Sequence, residues 1–246
     1  MKRGDLFRRR LRHVLRLAGY ELGLLGLAWS YLTRVPLPRK AMQFIRRKQY
    51  APAQSTRYVP LAGIFIGAIA GAVFLGANEL FDSKGLAIIL ALSAVLLVSS
   101  SSSSTSIVMF LVRFQALLLV PDSLIPSVLI AAHAFSQFGA ASFITTNVQV
   151  EEDEKGTYKV LGKADTSTRD FMVMAFVGMM PLALVGSLLF LLLVPLLWVI
   201  RNLFGAWFIH KTGGFTNHYL ALTQQLLEAS CYLLVIIGLK YPLNVG

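Results

Sequence analysis

Apolar stretches of helical length dominate this chain, separated by short polar breaks. The run at 59–81 carries Glu79 as its only charged residue. A membrane-crossing helix needs about 20 mostly apolar residues, so this run predicts a span. Gly63, Gly67 and Gly71 recur at every fourth position within it. That spacing puts small residues on one helical face, where a neighbouring helix can approach closely. Runs at 127–148 and 219–238 predict two further spans. The run at 171–200 holds no charge. As one helix it would measure about 45 Å, too long for one upright span and short for two at about 30 Å each. Pro181 and Pro195 predict a bend or break there. Shorter runs lie at 18–33, 86–106 and 107–120.

The breaks are polar. Phe81-Asp-Ser-Lys-Gly85 reads as a tight turn, and 121–126 as another. Residues 149–170 form a loop with six acids and four bases, and 201–218 a Gly-containing connector. The predicted fold class is all-α, a polytopic transmembrane helical bundle. It has five to seven membrane segments, near 18–33, 59–81, 86–106, 107–120, 127–148, 171–200 and 219–238, within one domain at 17–246. The lipid bilayer is its first partner.

Composition supports this reading. Hydrophobic residues make up 56% of the chain and charged residues 14%, where a soluble domain carries about 25%. The net charge of +11 is concentrated in two places, seven Lys/Arg within 1–16 and seven within 34–57. Clusters that flank spans face an anionic cytoplasmic leaflet rather than nucleic acid. Residues 1–16 also space apolar side chains as a helix does, predicting a basic amphipathic segment on a membrane surface. The two clusters cannot share a side if 18–33 crosses once, so that segment is expected to be re-entrant or interfacial. Cys231, the single cysteine, reads as a small buried hydrophobe.

Glu21, Glu79, Arg113 and Glu228 sit inside or at the edge of apolar runs, and His133, Ser136 and Gln137 near the middle of 127–148. Ionisable groups in such places mark a functional site, a structural pair or an interfacial anchor. The serines of 99–104 have no chemistry of their own and read as low-complexity filler. Gly213-Gly214-Phe215-Thr216-Asn217 precedes the last run. It reads as a plain loop, or as a turn that offers helix N-terminal N–H groups to phosphate.

Several motifs together resemble one family. Leu32-Thr-Arg-Val-Pro-Leu-Pro38 resembles the Thr-Arg-x-Pro-x-Pro of cobalamin synthases. Ser55-Thr-Arg-Tyr-Val-Pro-Leu-Ala-Gly63 resembles their Ser-Arg-Tyr-x-Pro-Leu-x-Gly. Ala131-Ala-His-Ala-Phe-Ser-Gln137 is similar to their Ala-His-x-x-Ser-Arg helix. The stretch from Gly213 to Glu228, with Thr223-Gln-Gln225, is similar to their Gly-Gly-Tyr-Thr-Gly-Asp motif and the helix after it. Glu151–Glu154 and Leu161-Gly-Lys163 also fit. The likeness spans roughly 25–240, in family order. It implies a magnesium-dependent transferase of the bacterial inner membrane. Such an enzyme joins adenosylcobinamide-GDP to α-ribazole, or its phosphate, and releases GMP. In phosphoryl transfer the protein mainly positions groups and neutralises developing charge. The substrate-binding residues it implies here are Arg34 and Arg57 for phosphate, Gly213, Gly214 and Thr216 in the turn, and Gln224, Gln225 and Glu228 behind it.

The departures bear on activity. The family's central acidic block (His-x-Asp-Gly, Ala-Asp, Asp-Gly, then Asp-Ser-Arg) has no counterpart, and Ser99–Ser104 stands in its place. No Asp or Glu lies between Asp82 and Asp122. The pattern resumes at 107–117, with Arg113-Phe114 where a Lys-Phe pair is usual. Gln137 replaces the family's Arg, and Asn217-His218 its Gly-Asp. Magnesium prefers oxygen ligands, so the acids that would hold it are missing and no metal ligand is assigned. The expectation is a transferase scaffold with little or no activity. The alternatives are a non-catalytic membrane protein that binds a corrinoid or a partner, and a defective copy. A transporter would need internal repeats, and the sequence has none.

Overall fold

The computed structural model describes residues 3–34, 51–99, 105–152, 158–163 and 166–241. Helix α1 covers Arg3–Leu32, α2 Ala51–Ser55, α3 Val59–Phe81, α4 Lys84–Val98 and α5 Thr105–Leu118. Then follow α6 at Ile125–Thr146, strands β1 (Gln149–Glu152) and β2 (Tyr158–Gly162), α7 at Thr168–Met179, α8 at Ser187–Thr212 and α9 at Asn217–Lys240. The all-α bundle is as expected, and five helical stretches are long and apolar enough to cross a membrane: 53–81, 122–146, 168–185, 193–212 and 217–240. Large apolar side chains such as Leu75, Leu97, Phe176, Leu203 and Ile237 are exposed, as suits a lipid-facing belt.

The glycine spacing of α3 has its explanation in α6. A Cβ on Gly67 would lie 2.6 Å from the Cα of Ile130, and one on Gly63 2.7 Å from the His133 carbonyl oxygen. Only hydrogen at these positions lets the two backbones pack this closely. Because Gly71 meets Pro126 while Gly63 meets His133 and Gln137, α3 and α6 run antiparallel. Helix α6 is the centre of the bundle, buried along almost its whole length from Ile125 to Phe143.

Several expected boundaries are corrected. The run at 171–200 is two elements. Helix α7 passes into a 3-10 stretch, Met180–Val185, and ends at Gly186 with φ +140°. Pro181 starts that tighter stretch, whereas Pro195 sits inside α8 without ending it. The connector expected at 201–218 is mostly helix. Helix α8 continues to Thr212 and stops where Gly213 turns left-handed at φ 74°. Apolar Leu203, Trp207 and Phe208 sustain it past Arg201, whose guanidinium finds neutral hydrogen-bond acceptors in Ser142, Asn202 and Thr146. The 86–106 segment is helical only to Val98, and 100–104 lie outside the described residues. Helices α4 and α5 fall short of span length. The acidic 149–170 loop contains an antiparallel hairpin.

Helix α1 continues without a break through Leu17 and is not among the span-length apolar helices. Its end is tied to α4: Thr33 bridges Ser99, and the Arg34 N–H donates to the Val98 carbonyl at 3.0 Å. Its middle is tied to α2 and the turn before α3, where Tyr20 Oη donates to Gln54 Oε1 at 2.5 Å and Glu21 pairs with Arg57. Tyr20 follows the first basic cluster, and Gln54 and Arg57 lie near the end of the second. These two flanking segments therefore meet at one end of the bundle.

Candidate functional site

That same end gathers most of the polar chemistry. Helix α6 ends there at Thr146, α7 and α9 begin there, and the hairpin lies over it. The hairpin is anchored by the turn before α9. Val150 N–H donates to the Phe215 carbonyl at 2.9 Å, and Phe215 N–H to the Val148 carbonyl at 3.0 Å. A Cβ on Gly214 would meet the Val148 oxygen at 2.5 Å, so only glycine allows this approach. Thr216 caps α9, its hydroxyl accepting from the Tyr219 N–H at 3.2 Å. Gly213 is exposed and closes α8. A pocket of about 320 Å³ separates hairpin from turn, lined by Gln149, Tyr158, Thr216, Asn217, His218 and Tyr219 among others. Of the residues expected to bind phosphate, Thr216 lines it, while Gly213 and Gly214 lie outside its lining in the turn before α9.

Arg57 is engaged elsewhere. Its Nη1 donates to Asp170 at 2.6 Å and its Nη2 pairs with Glu21, whose carboxylate also accepts from Tyr58 Oη at 2.6 Å. The guanidinium thus joins α1, the turn before α3 and the first turn of α7, with both terminal nitrogens held by carboxylates. Partial burial pushes the Glu21 carboxyl up, but the Tyr58 and Arg57 hydrogen bonds outweigh it and leave its pKa lowered. Arg34 is exposed beside Ser99, at the point where the serine run begins.

Glu228 is fully buried and lies about 16 Å along α9 from its first residue. Its Oε2 is 3.2 Å from Arg113 Nη2, close enough to pair as charges although not aligned for a hydrogen bond. Tyr232 Oη donates to its Oε1 at 2.9 Å, and His133 Nε2 lies 3.5 Å from the same oxygen. His133 Nδ1 is 2.9 Å from the Leu129 carbonyl. A carbonyl only accepts, so Nδ1 carries the proton. Buried Gln225 lies one helical turn before Glu228, and Gln224 is half-buried. Glu79 is exposed near the end of α3, and Cys231 is buried.

The expected site residues therefore fall in separate places: Arg57 in an ion-pair cluster, Thr216 at the pocket, Gly213 and Gly214 in the turn beside it, Glu228 in the interior, and Arg34 at the α1–α4 junction. Asp170, Tyr58 and Arg201 carry more of the polar structure than their sequence positions announce. Each was placed in, or next to, a loop by the hydropathy pattern. Among the described residues, no group of three or more His, Cys, Asp or Glu could hold a metal ion. The two carboxylates closest to a shared focus, Glu21 and Asp170, are both committed to Arg57. The described residues bring together no carboxylate cluster of the kind a magnesium ion takes.

The sequence model of one family, described as cobalamin-5-phosphate synthase, matches residues 24–102 and 101–236. The chain belongs to that family. The match to cobalamin-5-phosphate synthases breaks in two inside the serine run, between α4 and α5. Relatives named adenosylcobinamide-GDP ribazoletransferase agree. The one from Shewanella frigidimarina is 25% identical over 258 positions, covering 89% of this chain and 97% of the relative. The one from Vibrio cholerae (strain O395) is 25% identical, covering 92% and 98%. An aligned length of 258 exceeds the 246 residues of this chain, so the relative has residues with no counterpart here. No solved structure matches the chain.

Proposed function

We infer that this chain is built on the adenosylcobinamide-GDP ribazoletransferase scaffold and has lost most or all of the transfer step. The observation that carries this reading is the break in the family match inside Ser99–Ser104, joined to the absence of a metal-binding cluster among the described residues. Phosphoryl transfer depends on cations that neutralise charge on the moving phosphoryl group. Two of the interior cations are already paired: Arg57 with two carboxylates and Arg113 with one. Magnesium, if used, would need oxygen ligands that the described residues do not bring together.

The substrates of the reading are adenosylcobinamide-GDP and α-ribazole or its phosphate, handled at the face of a bacterial inner membrane that carries the basic clusters. The turn at Gly213–Thr216, the capped start of α9 and the pocket beneath the hairpin support retained binding of a phosphorylated ligand. That favours a corrinoid- or partner-binding membrane protein as the second reading, ahead of a defective copy.

The test is an assay of the purified protein with adenosylcobinamide-GDP, α-ribazole and magnesium. The expected result is little or no GMP release, with cobinamide binding kept. Replacing Ser99–Ser104 by the corresponding segment of the Shewanella frigidimarina relative is expected to restore turnover. Turnover by the unaltered chain at a relative's rate would overturn the reading.

A further inference from the structure

Arg201 is 7% exposed within α8, yet among the described residues no carboxylate pairs with it. Its partners are neutral. Nε donates to Ser142 Oγ at 2.8 Å, Nη1 to Asn202 Oδ1 at 2.8 Å and Nη2 to Thr146 Oγ1 at 3.0 Å. The guanidinium carbon lies 3.9 Å from the Phe143 ring centroid and 5.0 Å from that of Trp198. Rings favour a cation through their faces but do not neutralise it. An arginine stays protonated in proteins, and an uncompensated charge within a membrane-spanning helix is costly.

These bonds do not use every donor of the arginine. A guanidinium has five N–H donors, and these three bonds use three of them. One N–H on each Nη remains. The Nε side points to fully buried Ser142, whereas the Nη side points to Thr146 and Asn202, which are exposed. Thr146 is the last residue of α6, so the Nη groups lie at the end of the central helix. The two remaining N–H groups, one on each Nη, with the exposed Asn202 side chain bonded beside them, are donors of the kind that phosphate oxygens accept.

We propose that Arg201, with Asn202 and Thr146, forms a phosphate-binding site at the α6–α8 seam, separate from the pocket at the Gly213–Thr216 turn. Its ligand is a phosphate oxyanion, carried by an anionic lipid headgroup or free in solution, and it supplies the charge that balances Arg201. The site does not depend on the transferase reading, because it uses neither the turn nor the serine run.

The test is thermal unfolding of the full chain in an uncharged detergent, titrated with phosphatidylglycerol, diacylglycerol of the same acyl chains, or inorganic phosphate. Phosphatidylglycerol is expected to raise the midpoint saturably and diacylglycerol to leave it unchanged. Arg201→Gln abolishes the rise. Arg201→Lys keeps the charge but not the fork, and needs roughly tenfold more lipid for half effect. The same response to inorganic phosphate supports the site and identifies a soluble ligand. A wild-type response shared by diacylglycerol or retained by Arg201→Gln overturns it, as does no response to either phosphate probe. If Arg201→Gln fails to fold, Asn202→Ala replaces it, since that side chain is exposed. An unweakened response in Asn202→Ala is then the overturning result.

Discussion

Arg113 Nη2 lies 3.2 Å from Glu228 Oε2, and both side chains are buried between α5 and α9. These residues are 115 positions apart in sequence, on either side of the central helix α6. Removing one partner leaves the other as an uncompensated buried charge. Glu228→Gln is expected to destabilise by about 3 kcal/mol, and replacing both by leucine to recover most of that loss. Unfolding of the two variants in detergent checks it. Equal stability of Glu228→Gln and the parent would remove the pair from the account of the core.

The α3–α6 contact gives a sharper contrast between glycines of one helix. Gly67→Ala pushes a methyl group against backbone atoms of Leu129 and Ile130, which cannot rotate away. A loss of about 1–3 kcal/mol is expected. Gly76→Ala meets nothing within 4 Å and is expected to be neutral or slightly stabilising. Thermal midpoints of the two variants, compared in one detergent, decide it.

The Glu21–Arg57–Asp170 cluster makes the docking of α1 depend on acid. The Glu21 pKa is lowered in the folded protein, so the carboxylate contributes stability at neutral pH. That contribution is fully present above its unfolded value and disappears as pH falls through the depressed folded value, below the ordinary carboxylate range. Glu21 is substantially exposed, so the effect is modest. Limited proteolysis of α1 is expected to accelerate on acidification, and Glu21→Gln to show fast cleavage already at pH 7 with a flatter pH response. A parallel pH response in the variant would assign the effect to other groups.

Hydropathy alone determined that this protein is a bundle of membrane helices. A run of 20 apolar residues has no stable alternative in water, and within lipid only a helix satisfies its own backbone. The borders of 59–81 follow for the same reason: a proline opens the run and an Asp-Ser-Lys turn ends it. The spacing of Gly63, Gly67 and Gly71 was readable as a packing face, although α6 as its partner was not. Motif order was enough to raise the family and to notice that the serine run displaces its acids.

Tertiary structure decided how charges inside the apolar runs are compensated. Sequence spacing cannot say that Glu21 and Asp170 share Arg57, or that Glu228 meets Arg113 and His133, because those contacts join helices far apart in the chain. It also could not end α8 at the right place. Hydropathy reads Arg201 as the start of a loop, but the helix continues because Ser142, Thr146 and two aromatic rings absorb the guanidinium. A charge in an apolar run stops a span only when nothing in the fold can receive it, and whether something can is a property of the packed helices.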